Sequence, residues 1–595
     1  MGKATTILYF FVFCSTVIPS RSCDDHTDHD HSKRALPSAH LTPPTRDLEW
    51  GDVNIIHTTD THGWLLGHQE PSLPEPNYSG DFGDLASFVT HMKQIALDRD
   101  VDLLLVDSGT GLSDGFPPGG IDGHEASATF RHIKPSNLWT HRQSNQFLAK
   151  LPYDVMAIGN HELEVYANTL DMHTNFAPQL KGRYLTSNVN ITVADNKGNA
   201  VSVPVGNRFA KFRTRKGRRV TAFGVLFSFT GNVKNTTVQK VADMVKETWF
   251  LDAIREEPDF FLLAGHMPVQ RDDWPFVFKA IRAVHPTTPI LILGGHSHIR
   301  DCVQLDSRSM ALESGRFMET VGWMSMKLPR HKSDNMTFSR RYLDPNRVTY
   351  EFHTRHVTRH LDTPFGERIT KGLLALAKRF DLGFTFGIAP HDFTLSRFFI
   401  ANAESQRFDI YAGPFTKDDQ FTASPFADRF LFVPGIPASA VSKILPVMNG
   451  EGDLRRRSAE ELDRREKELY ASGNIDARFK RWLEAMDQRS GEERRAHGNL
   501  TLGYVTSDSC PGVGDDTPHA PMPFFSAPEF IGSNVPNATS DALVDVVFLD
   551  FIQNTVLGAL NSVQQDRNFS ASDVQLYSNL TADQVLGVYA QLMWN

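Results

Sequence analysis

Short apolar runs alternate with longer amphipathic stretches from residue 50 to about residue 355. The apolar runs predict buried strands, and the stretches with apolar positions at helical spacing predict helices. The predicted strands are 53–56, 101–106, 155–158, 219–225, 260–264 and 289–293, and the predicted helices are 81–96, 236–256 and 274–284. Buried strands separated by amphipathic helices indicate a layered α/β domain.

The pattern changes after about residue 360. Residues 366–380 and 439–448 have the apolar spacing of helices, whereas residues 408–411 and 431–433 are strand-like. This mixture predicts a second α/β domain in the carboxy-terminal part of the chain.

Residues 451–495 are densely charged, with Arg and Glu at helical spacing. This pattern is more typical of a solvated helical insertion than of a binding tail. The predicted organisation is therefore a first domain at residues 49–358 and a second domain at residues 359–595 that contains the insertion.

The amino terminus has the features of a secretory signal peptide. Lys3 precedes an apolar run at residues 7–18, and the small residues Ser20 and Ser22 stand before a predicted cleavage site ahead of Cys23. The run is too short to span a bilayer comfortably, and no later segment is apolar for long enough to do so. We therefore expect residues 1–22 to be removed, leaving no transmembrane segment in the mature chain.

Glycosylation sequons support export of the protein. They begin at Asn77, Asn190, Asn235, Asn335, Asn499, Asn537, Asn568 and Asn579. Three cysteines remain after the predicted cleavage, so at least one is unpaired in a monomer; a bridge between Cys302 and Cys510 is one pairing that the sequence allows without fixing it. The expected location is the secretory pathway, with the extracellular space, the cell surface and a vacuolar lumen as destinations.

Composition narrows the class of protein. The chain of 595 residues is too long for one core, and 40% hydrophobic and 22% charged residues are ordinary for a globular protein. The net charge is −9, with no basic stripe to follow a phosphate backbone, which disfavours a nucleic-acid polymer as partner.

Residues 23–48 combine Asp, His and Pro, and we expect this segment to be disordered.

Four short polar blocks follow predicted strands. They are Asp60-Thr61-His62, Gly159-Asn160-His161-Glu162, Gly265-His266 and Gly295-His296-Ser297-His298. Polar ligands collect outside the carboxyl ends of strands in layered α/β sheets. Carboxylate, amide and imidazole groups gathered there are what a two-metal hydrolytic centre needs. The candidate metal ligands are Asp60, His62, Asn160, His266, His296 and His298.

Each block alone has a plainer interpretation. A lone Asp60-x-His62 is more often an ordinary turn, and a lone His266 is more often a core histidine.

His161 follows the candidate ligand Asn160, and its side chain points in another direction. It is therefore available for proton transfer or for charge stabilisation at phosphate. Glu164 lies three residues later, where it can accept a hydrogen bond from that imidazole. His161 and Glu164 are therefore the candidate catalytic residues.

The blocks resemble those of the calcineurin-like metallophosphoesterases, in particular the 5'-nucleotidase-like branch with a separate carboxy-terminal domain. Besides the four blocks, the resemblance extends to Asp107-Ser108-Gly109 and to the segment from Ala311 to Arg316. It covers residues 54–300 well and residues 388–437 loosely. It implies a layered β-sandwich flanked by helices, a second nucleotidase-like α/β domain, and hydrolysis of a small phosphorylated substrate, namely a nucleotide or a related phosphate monoester.

The resemblance also implies two divalent metal ions of unknown identity, Zn, Mn or Fe. Asp60, His62 and His298 would hold one of them. The second ion would be held by Asn160, His266 and His296. A water between the ions would attack phosphorus in line, and His161 would stabilise or protonate the leaving oxygen.

One departure from the family pattern concerns the bridge between the metals. The family has an Asp in an Asp-x-Gly-Asp stretch, but this chain has Thr110 at that position. A neutral hydroxyl does not replace a shared carboxylate, so repulsion between two cations about 3.5–4 Å apart is less well offset. Three outcomes stay open: Asp114 serves as a substitute ligand, only one metal binds, or the protein is a catalytically impaired member that binds a phosphorylated ligand or acts as a scaffold.

Overall fold

The computed structural model describes most of the chain from residue 41 onward. The described ranges are 41–109, 145–270, 273–328, 336–355, 361–390, 400–402, 405–426, 428–450, 467, 470–471, 475, 478–479, 481–486, 503, 505–520, 528, 530–532, 539–564 and 566–595. The predicted signal peptide and the residues Cys23, Thr110 and Asp114 lie outside these ranges.

The amino-terminal part is built from strands that follow the predicted apolar runs. In chain order they are β1 Val53–Thr58, β2 Asp102–Asp107, β3 Val155–Ala157, β4 Tyr184–Leu185, β5 Val189–Ala194, β6 Ala200–Pro204, β7 Phe209–Arg213, β8 Arg219–Leu226, β9 Thr236–Val238, β10 Phe260–His266, β11 Ile290–Gly294, β12 Arg300–Val303, β13 Ser309–Ser314, β14 Val321–Lys327 and β15 Thr337–Leu343. Two six-stranded sheets have the orders β15-β14-β1-β2-β3-β4 and β12-β13-β11-β10-β8-β7, and a smaller sheet has the order β6-β5-β9.

The two six-stranded sheets pack face to face. Alternate residues of each strand point between the sheets, as Val53 and Ile55 of β1 and Leu262 and Ala264 of β10 do. The opposite faces, with residues such as Ile56, contact a second apolar cluster that includes helical residues. Both faces are buried, and this is why the strands are apolar throughout instead of alternating. The predicted layered sandwich flanked by helices is confirmed.

Helices complete the amino-terminal layers. They are α1 Phe82–Asp98, α2 Asn145–Leu148, α3 Tyr166–Asp171, α4 Val241–Met244, α5 Thr248–Arg255, α6 Trp274–Val284, α7 Arg347–Thr354 and α8 Pro364–Arg379. Helix α1 begins with a capping box between Asp81 and Asp84, which satisfies two free backbone N–H groups. It packs against α8 where Gly83 and Gly366 meet, because a Cβ on either glycine would lie within 2.5 Å of the other's carbonyl oxygen.

The carboxy-terminal part forms its own sheets. Its elements are β16 Thr385–Ala389, β17 Ile400–Asn402, β18 Gly413–Thr416, α9 Lys417–Ala423, β19 Arg429–Pro437, α10 Ala438–Met448, β20 Phe530–Gly532, β21 Leu543–Leu549, α11 Gln553–Val563, β22 Gln575–Thr581 and α12 Ala582–Met593. The order β20-β17-β21-β19-β22 forms one sheet and β16-β18 another. Apolar residues of β19, β21, α10 and α11 make a separate core, which agrees with a second α/β region.

A disulfide joins the two parts of the chain. Cys302 of β12 is bonded to Cys510, 208 residues later. Around it, residues 503–520 lie against the amino-terminal sandwich, where Asp515 pairs with the buried Arg300 at 2.8 Å and Asp508 pairs with Arg340. The bridge between Cys302 and Cys510, which the sequence allowed as one possible pairing, is therefore present in the structure.

Two predicted elements are wrong. Helix 236–256 begins instead as strand β9, whose β-branched residues pair with β5, and only the shorter helices α4 and α5 follow. Residues 408–411 are not a strand, because Phe408 packs against Trp64 with ring centroids 4.9 Å apart and β18 starts only at Gly413. Among the described residues, no helix is long and apolar enough to cross a membrane.

Candidate metal centre

The polar blocks meet at one edge of the sandwich because the strands before them are parallel. β1 pairs in parallel with β2 up to Thr58 opposite Asp107, and β10 pairs in parallel with β11. The loop after β1 contacts the loop after β2 through a hydrogen bond from Asp60 N to Gly109 O of 3.1 Å. The carboxyl ends of these strands therefore bring residues more than 200 positions apart into one site.

The Asp60 carboxylate lies at the centre of three imidazoles. Its Oδ1 is 3.8 Å from His62 Nε2, 3.5 Å from His266 Nε2 and 3.6 Å from His298 Nε2. Its Oδ2 accepts a hydrogen bond from His296 N at 2.9 Å. Oδ1, in contrast, is buried and has no hydrogen-bond partner among the described residues. A buried carboxylate oxygen is normally paired, so this oxygen fits the ligand of a cation.

His266 and His296 form a pair of histidines beside Asp60, and Asn160 lies in the loop after β3. The rings of His266 and His296 have centroids 5.1 Å apart. His266 Nδ1 donates to Ser108 O at 3.2 Å, which fixes the tautomer whose Nε2 carries the lone pair. Asn160 Oδ1 and His296 Nε2 are buried without a hydrogen-bond partner in the part of the chain that the structure describes. These atoms suit a second cation beside the first.

Four of the six candidate ligands have left-handed backbone conformations. The φ angles are +48° at Asp60, +44° at His62, +77° at His296 and +65° at His298. Residues other than glycine seldom adopt such angles, which cost about 1–3 kcal/mol each and concentrate at functional sites. The surrounding contacts must therefore hold these four residues against their own backbone preference.

Glycine is required where the loops touch. A Cβ on Gly295 would lie 2.2 Å from Thr59 Oγ1 and 2.8 Å from Asp60 Oδ2. A Cβ on Gly109, whose φ is +102°, would lie 2.8 Å from Gly159 N. The close backbone approach expected from the glycines before His296 is thus present at Gly295.

Burial controls the charges of the site. Burial lowers the pKa of His266 to about 4, against the opposing effect of Asp60, and lowers the pKa values of His296 and His298 well below their usual range. Burial also tends to raise the pKa of Asp60, but His266, His62 and His298 together lower it well below its usual range. At neutral pH Asp60 is a carboxylate and His266, His296 and His298 are neutral imidazoles, the forms that bind metal.

His161 lies at the rim of the site with Glu164. Its Nδ1 is 3.1 Å from Glu164 Oε1, and its ring centroid is 5.1 Å from that of His62. The side chains of His161 and Glu164 are 14% and 22% exposed, whereas all six candidate metal ligands are buried. This partial exposure allows contact with a substrate.

Sequence reasoning missed the residues that support the ligand loops. Glu313 accepts hydrogen bonds from Ser297 N at 2.9 Å and from Val269 N at 3.3 Å, so one buried side chain ties the loop between His296 and His298 to the loop after His266. Burial raises the pKa of Glu313 well above its usual range. The only signal was its place in the segment from Ala311 to Arg316, which the resemblance singled out without a role.

A second support reaches the loop after β2. His57 of β1 is buried between Ser314 Oγ at 2.7 Å and Ser108 Oγ at 2.9 Å, and Ser108 Oγ donates to Gly294 O at 2.7 Å. Burial lowers the pKa of His57 to about 3, so it is neutral. The chain of hydrogen bonds joins the two sheets directly beneath the ligands.

A cleft opens beside His62. It is lined by His62, Trp64, Phe317, Arg407, Phe408, Thr422 and Pro425. Trp64 and Phe317 are stacked with ring centroids 5.5 Å apart. The cleft thus combines side chains of the amino-terminal part with Arg407 and Phe408, and Phe408 begins the segment that was predicted as a strand.

All six predicted metal ligands are described; the structure brings Asp60, His62, His266, His296 and His298 together, and Asn160 lies next to His161 in the loop after β3. Asp60, His62 and His298 have ligand atoms within 4.8 Å of one another. Thr110 and Asp114 lie outside the described residues. A second group with ligand spacing, Cys302, Asp508 and Cys510, is explained by the disulfide and by the ion pair of Asp508 with Arg340.

Comparisons with known proteins agree with this geometry. Residues 53–300 match the family described as calcineurin-like phosphoesterase, and residues 390–557 match the carboxy-terminal domain of NAD nucleotidase. The first match ends two residues after His298 and spans all four polar blocks. The second covers most of the carboxy-terminal part, including the charged insertion.

Similar proteins cover almost the whole chain. A secreted protein of Arthroderma benhamiae is 32% identical over 100% of this chain and 98% of its own length. The solved 5'-nucleotidase from Candida albicans is 30% identical with a TM-score of 0.75, over 92% of this chain and 100% of its own. A 5'-nucleotidase precursor from Thermus thermophilus shares the fold at 14% identity, with a TM-score of 0.51 over 91% of this chain and 96% of its own. The chain therefore belongs to the calcineurin-like phosphoesterases, in the 5'-nucleotidase-like branch that adds a carboxy-terminal nucleotidase-type domain.

Proposed function

We propose that this protein is a secreted, metal-dependent phosphoesterase that hydrolyses nucleotides or related phosphate monoesters. The proposal is carried by the buried Asp60 Oδ1, which lies 3.5–3.8 Å from three imidazole nitrogens without a hydrogen bond. Ligands about 2.0–2.2 Å from a shared cation lie at such separations from one another. Asp60, His62 and His298 would hold one divalent ion, and Asn160, His266 and His296 a second.

The bound ions would lower the pKa of a water and neutralise charge that develops on the phosphoryl oxygens. The protein's own residues provide the charge, the lone pairs and the exclusion of water. Asp60 supplies the negative charge that attracts the cations, and the neutral imidazoles leave their lone pairs available. Because the ligands are almost fully buried, bulk water is kept from the inner side of the reacting group.

His161 would complete the reaction at the leaving group. Its ring lies 5.1 Å from that of His62, at the partly exposed rim. Because Nδ1 lies 3.1 Å from Glu164 Oε1, the other ring nitrogen is left for the substrate. In this position the imidazole can stabilise the charge on phosphate or donate a proton to the leaving oxygen.

Nucleotides are the proposed substrate class. The Candida albicans relative, 30% identical over nearly the whole chain, is a 5'-nucleotidase. The cleft beside His62 is lined by Trp64, Phe317, Phe408 and the cation Arg407; Trp64 and Phe317 are buried, so Phe408 and Arg407 are the partly exposed groups that a nucleotide would contact. A planar base and an anionic phosphate suit such a lining.

The test is hydrolysis by the purified full-length protein. Adenosine monophosphate and a generic aryl phosphate should be hydrolysed with Mn²⁺ or Zn²⁺ present, and metal analysis should find two ions per chain. His161→Ala should reduce kcat about 10²–10⁴-fold while metal content stays unchanged. His91→Ala, which changes a histidine outside the ligand cluster, should keep full activity. No turnover with any divalent metal or phosphate ester would reject the proposal.

A second candidate is a family member that binds a phosphorylated ligand without turnover. It is favoured by Thr110, which replaces the carboxylate that the family uses between the metals. In that case the natural protein should bind adenosine monophosphate but not hydrolyse it, and Thr110→Asp should create activity.

A single-metal enzyme with Asp114 as substitute ligand is the intermediate case. Metal analysis would then find one ion per chain in the natural protein. Asp114→Asn should reduce that occupancy, and unchanged occupancy would reject the substitute role.

Passage through the secretory pathway is part of the proposal. The Arthroderma relative is a secreted protein, a disulfide joins Cys302 to Cys510, and the sequon residues Asn235, Asn568 and Asn579 are exposed. Protein from the native host should therefore migrate faster on electrophoresis after enzymatic removal of N-glycans. Unchanged migration would contradict this part.

A further inference from the structure

A segment of the carboxy-terminal part lies against the metal centre. We name the described residues 470, 471, 475, 478, 479 and 481–486 together the cover segment. The sequence predicted a solvated insertion here, yet Tyr470, Ile475 and Phe479 are buried, with 8%, 4% and 8% of their surface exposed. Tyr470 and Ile475 belong to the apolar core of the amino-terminal sandwich.

Tyr470 packs against His296. Their ring centroids lie 5.2 Å apart. His296 also stacks on Phe227 at 4.3 Å with an interplanar angle of 18°, and the centroids of Phe227 and Tyr470 are 5.0 Å apart. The imidazole of His296 therefore lies in a corner formed by two aromatic rings, which restricts its rotation.

Phe479 contacts the other histidine of the same loop. Its ring is 6.3 Å from that of His298 in an edge-to-face arrangement. The Arg316 guanidinium lies over both Phe479 at 4.6 Å and Phe317 at 4.5 Å, and Phe317 in turn is 5.8 Å from His298. Ile299, next to His298, joins Phe479 in a small apolar cluster.

The cover segment is fixed to the amino-terminal part by hydrogen bonds as well as by its rings. Thr230 N and Thr230 Oγ1 both donate to Ala471 O, at 2.7 and 2.9 Å. The Arg478 guanidinium lies 4.4 Å over the Tyr470 ring on the cover segment itself. Because these hydrogen bonds fix Ala471, the neighbouring Tyr470 has a defined position over His296.

The loop under the cover segment is strained. His296 and His298 have φ angles of +77° and +65°, which are disfavoured for side chains with a Cβ. Such conformations persist only when neighbouring contacts favour them. The backbone of Ser297 is held by Glu313, but the two imidazole rings need contacts of their own.

We propose that Tyr470 and Phe479 are positioning residues of the metal centre: their rings hold the imidazoles of His296 and His298 in the orientation that binds metal and shield them from water. The inference rests on the proposed metal site. It assigns a role to an insertion that the sequence presents only as a charged helix. Because each ring contacts one histidine, the two residues should act on different ions.

The experiment compares Tyr470→Ala and Phe479→Ala with the natural full-length protein. Tyr470→Ala should weaken the ion held by Asn160, His266 and His296 about 10–100-fold, as loss of outer contacts at metal sites does. Phe479→Ala should weaken the other ion instead. Competition with a chelating dye measures both affinities. Tyr470→Phe should keep native affinity, because the ring makes the contact.

Matched controls remove exposed aromatic rings. Tyr577→Ala and Phe551→Ala change side chains that are 43% and 54% exposed in the carboxy-terminal part, and should leave metal affinity unchanged. Melting temperatures of all variants establish whether they fold. Native affinity in folded Tyr470→Ala and Phe479→Ala proteins would overturn the inference.

A second readout does not depend on metal. In the metal-free protein, diethyl pyrocarbonate should modify His296 faster in Tyr470→Ala, and His298 faster in Phe479→Ala, than in the natural protein, as measured by peptide mass spectrometry. Unchanged modification rates would overturn the inference. If the natural protein binds no metal, the proposed function fails, and the modification rates still decide whether the rings hold the histidines.

Discussion

The two sides of the candidate metal centre differ in charge although they share their architecture. The carboxylate side consists of Asp60, His62 and His298, and the amide side of Asn160, His266 and His296. Both sides are buried at the carboxyl ends of parallel strands. Of the six candidate ligands, only Asp60 carries a negative charge, and its Oδ1 is as close to His266 as to His62 and His298.

This difference in charge indicates that the Asp60 carboxylate attracts the cations of both sides. A family member with an Asp at the bridging position would have a second negative charge between the cations, whereas this chain has Thr110 there. The short distance from Asp60 to His266 lets the same charge attract either ion. We therefore expect the carboxylate side to bind its ion more tightly, and the amide side to depend on Asp60 as well.

The largest expected effect comes from Asp60→Asn. The substitution keeps the shape and removes the charge. A pair of unit charges about 4 Å apart is worth about 4 kcal/mol at an effective dielectric constant of about 20, or about 10³-fold in binding. Metal titration should show this loss on the carboxylate side and a smaller loss on the amide side.

Asn160→Ala is the matched change on the amide side. It removes a neutral ligand, so we expect a loss of about 10–100-fold in affinity for one ion only, which corresponds to about 1–3 kcal/mol. Equal losses from Asp60→Asn and Asn160→Ala would contradict the difference in charge between the two sides.

Acidification should weaken metal binding on the amide side only well below the usual pKa of histidine. Burial lowers the pKa of His266 to about 4, so its imidazole stays neutral and able to bind metal from pH 7 down to about 5. Below pH 4 protons compete with the metal, and the apparent affinity of the amide side should fall about tenfold for each pH unit. Metal titrations from pH 7 to pH 3.5 measure this, with near-ultraviolet circular dichroism as the check for unfolding. A loss centred near pH 6.5 would show that burial does not control the imidazole.

Glu313 ties both sides together, so its loss should weaken both. Glu313→Ala leaves Ser297 N and Val269 N without their acceptor, and we expect metal affinity to fall about 10–100-fold on each side. Because burial raises the pKa of Glu313 well above its usual range, the neutral Glu313→Gln should retain most of the affinity. A loss confined to one side would contradict the shared role.

The smallest expected effect is at the rim. Glu164→Gln keeps an acceptor for His161 but removes the charge, and we expect kcat to fall a few-fold to about tenfold with metal affinity and KM unchanged. Steady-state kinetics with a saturated metal centre measure it. A change in metal content would instead place Glu164 in the support of Asn160, whose Nδ2 lies 3.4 Å away.

The sequence predicted most of the sandwich and placed the candidate metal ligands after its strands. Buried parallel strands are apolar along their full length, so runs such as 260–264 were readily identified, and ligands at their ends follow from the topology. The residues that the sequence missed act through contacts with no local signature. Glu313 lies in a strand, and nothing near it in the sequence indicates that it accepts hydrogen bonds from Ser297 and Val269. Tyr470 lies in a charged segment whose sequence does not indicate an aromatic contact with His296.

The amino-acid sequence by itself determined the α/β class, the succession of strands along the chain and the chemical types of the candidate ligands. These follow from the spacing of hydrophobic residues and from short polar blocks, which are local properties. Only the tertiary structure decided that Asp60 stands between both ligand groups, that Cys302 pairs with Cys510, and that the charged insertion returns to the metal centre. These features join residues roughly 170 to 240 positions apart, and their distances depend on how the sheets pack and not on any pattern within one segment.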